Sequence, residues 1–408
     1  MEALPVRKTP SNSKDIKILN RLLVRETIRQ LGPIARYEVA NETGLAAPTV
    51  SVIVNELISE GVVKETGRGE SSGGRRPVML EISPTAAFIL AVRIQRGETA
   101  TAIFDLNGNA LNEHYQTLDT SLAEDVVQAI GASFDWLVDS TGIDRRRILW
   151  CGLASPGLID PHRGIVERSS NLRWEKVALG AMLSKRLYGM PVHVENISNA
   201  AALAEHEFGN GRGSKSLIYI NLSVGIGAGI VLDNEVYGGS RGYAGEIGHM
   251  TLIPDGGPEC TCGSSGCFEA LCGISAVLEQ AKLAMSDDIL EELGLSKGRL
   301  SFDSLLYPPL SDTAEIGQVV SRVGRLVGVA VSNLVNMFNP DTVILGGELA
   351  RLGASLVSMV ADEMKIRVLN ELNRNVRVAL SSLKEDPPLK GSYAAVAKKI
   401  FDMPDWFG

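Results

Sequence analysis

One histidine and three cysteines fall within nineteen residues, in Gly245-Glu246-Ile247-Gly248-His249 followed by Cys260-Thr261-Cys262-Gly263-Ser264-Ser265-Gly266-Cys267-Phe268-Glu269. Thiolate and imidazole donors at this spacing, with glycines that let the backbone wrap, match a tetrahedral zinc site with His249, Cys260, Cys262 and Cys267 as ligands. Four protein ligands leave no open position, so one structural Zn2+ per chain is expected, pinning a loop that is otherwise hard to order. The bland alternative is a set of buried free thiols beside an unrelated histidine. The other two of the five cysteines, Cys151 in an apolar run and Cys272 five residues past the cluster, read as core. So dense a cluster does not suit a disulfide framework in a large chain, and the expected compartment is the cytoplasm.

At 408 residues the chain exceeds one ordinary core, so two or three domains are expected. It has 45% hydrophobic and 22% charged residues, the balance of a globular protein, with no apolar run long enough for membrane insertion. Residues 1–13 read as a disordered lead-in, without the apolar stretch of a signal peptide. The net charge of −8 argues against a nucleic-acid binder until its distribution is considered. Residues 1–82 carry 12 Lys/Arg against 10 Asp/Glu, and the remainder 28 against 38. A mildly basic head on an acidic body suits a protein that touches DNA only with its head.

Residues 14–82 read as that head. Lys14 to Gln30 has helical apolar spacing and stops at Leu31-Gly32-Pro33. A second helix is expected over Arg36–Thr43, closed by Gly44. A third opens at Ala46-Ala47-Pro48-Thr49 and runs to Glu60, stopped by Gly61. Strands at Val62–Glu65 and Val78–Ile82 flank a Gly-rich tip bearing Arg75 and Arg76. Helix, tight turn, helix and an Arg-bearing hairpin, in that order, form the pattern of a winged helix-turn-helix DNA-binding domain. The third helix would enter the major groove with Pro48, Thr49, Ser51, Val52 and Asn55 at its exposed face, while Arg75 and Arg76 reach the minor groove or phosphates. A three-helix protein–protein module is the alternative.

Residues 84–408 alternate apolar strands with amphipathic helices and read as an α/β body long enough for two lobes. Strands are expected at Ala86–Val92, Ala100–Asp105, Ile148–Ala154, Val192–Glu195, Leu217–Leu222, Gly227–Leu232 and Thr342–Leu345. The Gly-rich runs Val224–Gly229 and Leu345-Gly346-Gly347-Glu348 fit a nucleotide-binding ancestor, though turns and tight packing use the same residues.

The Glu246-x-Gly-His249 segment, the Cys-x-Cys-Gly-x-x-Gly-Cys-x-Glu run and a head ending in Gly-Gly-Arg-Arg-Pro together resemble the ROK family, over essentially the whole chain. The resemblance is specifically to its repressor branch, whose members regulate xylose, glucose and N-acetylglucosamine use. The resemblance implies an actin-like ATPase (sugar-kinase) fold of two lobes with the sugar in the cleft. It places Glu246, His249, Glu269, Asn196 and Asn171 at positions that hydrogen-bond sugar hydroxyls, with His249 sharing its ring between zinc and ligand.

The departures from the family's kinases point to a sensor instead of an enzyme. Where they carry an aspartate base after Val-Glu-Asn, this chain has Ile197, which cannot accept a proton. Arg93 stands where an acidic residue helps hold the magnesium-bound nucleotide, and Arg96 replaces a phosphate-approach glycine. The expectation is a non-enzymatic, sugar-responsive repressor on operator DNA, acting as a homodimer or tetramer. Two rivals remain: a residual sugar kinase with a DNA-binding head, and a repressor released by a transporter partner.

Overall fold

The computed structural model describes residues 13–68, 76–383, 386–403 and 406. Most of the expected lead-in, residues 1–12, and the hairpin tip with Arg75 lie outside the described residues.

Three helices come first: α1 (Ser13–Leu31), α2 (Arg36–Thr43) and α3 (Ala47–Ser59). Gly44 ends α2 in the left-handed conformation at φ 69°, donating to Ala40 O, which turns the chain within three residues into α3. Pro48 sits in the first turn of α3, where the missing N–H costs nothing. The buried face of α3, Val50, Ile53, Val54 and Leu57, holds it against the other helices. Each such side chain stabilises by roughly 1.5–3 kcal/mol. A three-stranded antiparallel sheet in the order β1-β3-β2 completes the head, from β1 (Ile34–Ala35), β2 (Val63–Arg68) and β3 (Val78–Ile82). The register slips between Glu65 and Gly67, and Gly67 takes φ 127° there, a bulge that glycine accommodates.

After a turn at Ser83–Thr85 the chain builds β4 (Phe88–Gln95), β5 (Glu98–Asp105), β6 (Ala110–Thr117), α4 (Ala123–Thr141) and β7 (Ile148–Ser155). A small sheet of β8 (Leu158–Asp160), β9 (Ile165–Ser169) and β10 (Trp174–Val177) follows, then α5 (Leu179–Arg186), β11 (Val192–Asn196) and α6 (Ile197–Phe208). The first large sheet runs β11-β7-β4-β5-β6. Next come β12 (Leu217–Leu222), β13 (Ile226–Leu232) and β14 (Glu235–Val236), then the helices α7 (Phe268–Cys272), α8 (Ile274–Ala284), α9 (Asp287–Glu292), α10 (Phe302–Leu306) and α11 (Ala314–Phe338). The chain closes with β15 (Thr342–Gly346), α12 (Ala354–Arg367), α13 (Asn370–Asn373), β16 (Arg377–Leu380) and α14 (Pro387–Asp402).

The second large sheet runs β14-β13-β12-β15-β16. Counted by appearance, both large sheets have the order 3-2-1-4-5, an antiparallel trio extended by two parallel strands. The body is thus α/β with two sheets of one topology. Helix α6 packs on the second sheet through Ala201 and Ala202, and α14 lies against α6. The head shares its core with the body: Val24, Ile28, Val50, Leu57 and Leu80 belong to one buried apolar cluster with Ile89, Phe104, Val396, Ile400 and Trp406. Among the described residues no helix is long and apolar enough to cross a membrane.

Candidate functional site

A cleft of 1120 Å³ opens where the parallel strands of both sheets end, the place where open α/β sheets hold ligands. Asn171, Asn196, Glu246, His249 and Glu269 all line it. Glu269, near the start of α7, accepts from the Ile226 amide at 2.8 Å, which fastens the Gly225 corner ahead of β13. A Cβ on Gly225 would lie 3.2 Å from Asn171 Nδ2 and 3.4 Å from Glu269 Oε2, so the corner stays open between two polar side chains. Glu246 is half-buried just before the turn Ile247–His249. Burial pushes its carboxyl above the usual range, the nearby Glu269 adds to this, and His249 opposes both. Such a carboxylate lacks solvation that a donated hydroxyl can supply. Asn196 has a further role: its Oδ1 caps α6 by accepting from the Ser198 and Asn199 amides, and its Nδ2 donates to Gly157 O at 2.9 Å.

The four cluster residues converge. Their donor atoms lie within 4.8 Å of one another, with Cys260 Sγ 3.6 Å from His249 Nδ1 and Cys262 Sγ 3.8 Å from Cys267 Sγ. Tetrahedral zinc, with bonds of about 2.3 Å to sulfur and 2.0–2.1 Å to nitrogen, requires edges of about 3.8 Å and 3.6 Å. The donor set therefore fits a single dication. Burial pushes the Cys267 thiol up to about 12, a cost that a coordinated cation removes by holding the thiolate. The loop folds through Gly263 at φ 91° and Gly266 at φ 67°, where a Cβ would strike Ile253 O at 1.7 Å. Nδ1 of His249 faces the Cys260 thiol, and the same residue lines the cleft, so the cluster and the cleft share a side chain. Cys151 and Cys272 are buried elsewhere in the core.

One corner of the cleft, at the end of β4, is filled by a buried ion-pair cluster. Arg93, only 4% exposed at the end of β4, pairs with both Glu98 and Asp386. Arg96 is exposed at the cleft edge, and Ile197 begins α6 on the cleft wall. Asp386 escaped sequence reasoning because its partner lies 293 residues away. The one local sign is Asp-Pro-Pro, a cap followed by proline at a helix start.

In the head, Pro48, Thr49, Val52 and Asn55 lie on the solvent side of α3, with Val52 58% exposed. Ser51, read from the sequence as exposed, is half-buried, because its position in the helix turns it partly toward the neighbouring face. Asn55 Oδ1 accepts from Arg36 of α2 at 3.0 Å, joining the two helices. Arg76 is exposed just before β3.

A family model described as the ROK family matches residues 89–399. The putative xylose repressor of Caldicellulosiruptor sp. (strain Rt8B.4) is 30% identical over 394 residues, covering 96% of this chain and 98% of the relative. The xylose repressor of Bacillus subtilis (strain 168) is 30% identical over 389 residues, 95% and 97% of the two chains. The DNA-binding transcriptional dual regulator NagC of Escherichia coli (strain K12) is 27% identical, covering 95% and 94%. Among solved structures, a ROK family transcriptional regulator, homolog of the E. coli MLC protein, superposes with TM-score 0.79 at 26% identity, over 95% of this chain and 97% of its own. A ROK family glucokinase from Streptomyces griseus, solved with glucose and AMPPNP, gives 0.65 at 27% identity, over 77% of this chain and all of its own. With the matched region spanning both large sheets and the cleft between them, the chain belongs to the ROK family.

Proposed function

We propose that this protein is a DNA-binding transcriptional regulator of sugar-metabolism genes, a repressor by type, whose kinase-derived cleft senses a sugar. One observation carries the reading. The cleft keeps five polar side chains suited to a polyol, while the position for a catalytic base is Ile197 and the magnesium corner holds the Arg93–Glu98–Asp386 cluster. The guanidinium occupies both carboxylates that could otherwise ligate a divalent cation, and an alkyl side chain takes no proton, so phosphoryl transfer loses one requirement for each substrate. The relatives named as repressors cover 95–96% of the chain, whereas the family model begins at residue 89, past the head.

In this reading residues 14–82 form a winged helix-turn-helix and residues 84–408 the sensing and oligomerising body. Thr49, Val52 and Asn55 read base edges, with Pro48 and Ser51 shaping the helix entry, and Arg75 and Arg76 grip the backbone. One structural Zn2+, held by His249, Cys260, Cys262 and Cys267, keeps the Glu269 loop in place. A homodimer, placing two heads on a two-fold operator, is the expected assembly, in the cytoplasm where operator DNA is found. Footprinting on upstream DNA, with and without D-xylose, D-glucose, N-acetyl-D-glucosamine and their phosphates, tests the reading. Sequence-selective protection altered by one of these is expected; no selective protection under any condition overturns it. The kinase neighbours favour one rival, a residual sugar kinase, which a coupled ATPase assay on the same sugars would reveal by turnover.

A further inference from the structure

Helix α14 has both ends held by arginines from distant parts of the chain. At its start Asp386 accepts from the Leu389 amide at 3.1 Å and pairs with Arg93. Asp386, Pro387 and Pro388 line the cleft. At its far end, carbonyls that lack partners within the helix accept from Arg25 of α1, Phe401 O and Met403 O each at 2.5 Å. The Arg25 guanidinium also lies 4.8 Å from the centre of the Trp406 ring, and Arg29 lies 5.1 Å from that of Phe401. Arg25 is 1% exposed, so this cation is withdrawn from water to make a joint between the head and α14.

Between these ends there is no slack. A Cβ on Gly391 would sit 1.7 Å from Ala200 O of α6, and one on Gly152 of β7 would sit 1.8 Å from Ser392 O. Backbones that close cannot slide independently, and packed elements shift as units. Helix α6 itself starts in the cleft, with Asn196 as its cap and Ile197 as its first residue. The sixteen residues of α14 span about 24 Å at 1.5 Å per residue.

We propose that α14 is the rod that carries occupancy of the cleft to the head, with Arg25, Phe401, Met403 and Trp406 as its far joint. The proposal rests on the regulator reading and names the path of its regulation. Amide hydrogen exchange of the full chain tests the mechanical link without operator or effector. Asp386→Asn frees the near end, and amides of α1 should then exchange at least tenfold faster. In Trp406→Ala the joint is already open, and adding Asp386→Asn should change α1 less than twofold further. Unchanged α1 exchange in Asp386→Asn, with a faster first turn of α14, overturns the link. Should that variant not fold, Arg93→Gln removes the same ion pair while keeping the cap.

A second arm reads regulation, using whichever sugar of the panel shifts operator affinity in the wild type. Trp406→Ala should bind that sugar within twofold of wild type while the shift in operator affinity falls below twofold. A shift as large as in the wild type overturns the proposal. A wild-type chain that binds no operator would defeat the regulator reading instead, and the exchange arm would still decide the rod.

Discussion

At the scale of single residues, the cleft places a carboxyl where charge is poorly solvated. Burial raises Glu246, and a bound hydroxyl would supply the hydrogen bond it lacks. Glu246→Gln should therefore leave the ligand-free melting temperature at or above that of the wild type. It should weaken sugar binding by about ten- to a hundredfold, following the ~1.5–3 kcal/mol of a hydrogen bond to a charged group. Thermal shift and calorimetry read both, and unchanged sugar affinity would contradict the role. Cys262 stands exposed at the knuckle of the cluster. Cys262→Ser should reduce zinc from about one per chain to near none and abolish the ligand response by releasing the Glu269 loop; normal zinc with a normal response would refute the assignment. The His/Cys set was legible because three of its four ligands occupy one short loop. Arg93 was legible only as a departure from the kinase pattern that the family resemblance implies. Its partner Asp386 carried only the signal of a helix start, which says nothing of the pairing, since the pair forms through the tertiary fold.

At the scale of elements, α2 was legible to the residue because glycine and capping signals bracket it, and α3 to within a residue or two. Strand β6, with the polar sequence ALNEHYQT, was not, since it is held by pairing with β5 and has one largely solvated face. The small β8–β9–β10 sheet was missed for a related reason: its strands are three to five residues long, too short for periodicity. Nor did the sequence show that α14 and α6 touch backbone to backbone. Gly391→Ala pushes a methyl into Ala200 O and should cost at least ~1–3 kcal/mol, the range for overpacking. Chemical denaturation of the full chain measures it; an unmoved midpoint would mean that the helices separate without cost.

At the scale of the molecule, two sheets with one strand order meet at a cleft, and the head shares a buried cluster with one of them. The alternation of strands and helices announced α/β. The repeated topology was hidden because the two halves share strand order without sharing a residue pattern visible in one sequence. The shared core matters for the proposed function, because a head packed on α14 has a physical connection to the cleft through which a bound sugar would act. Binding energies in such a system are linked, so whatever factor a sugar applies to operator affinity, operator must apply to sugar affinity. The most direct measurement is therefore reciprocal: operator affinity by fluorescence anisotropy with and without saturating sugar, and sugar affinity by calorimetry with and without operator. One factor is expected, on the order of tenfold or more and equal in both directions, within the usual range of coupling energies. A factor of one, with DNA and sugar each binding as though the other were absent, would contradict it.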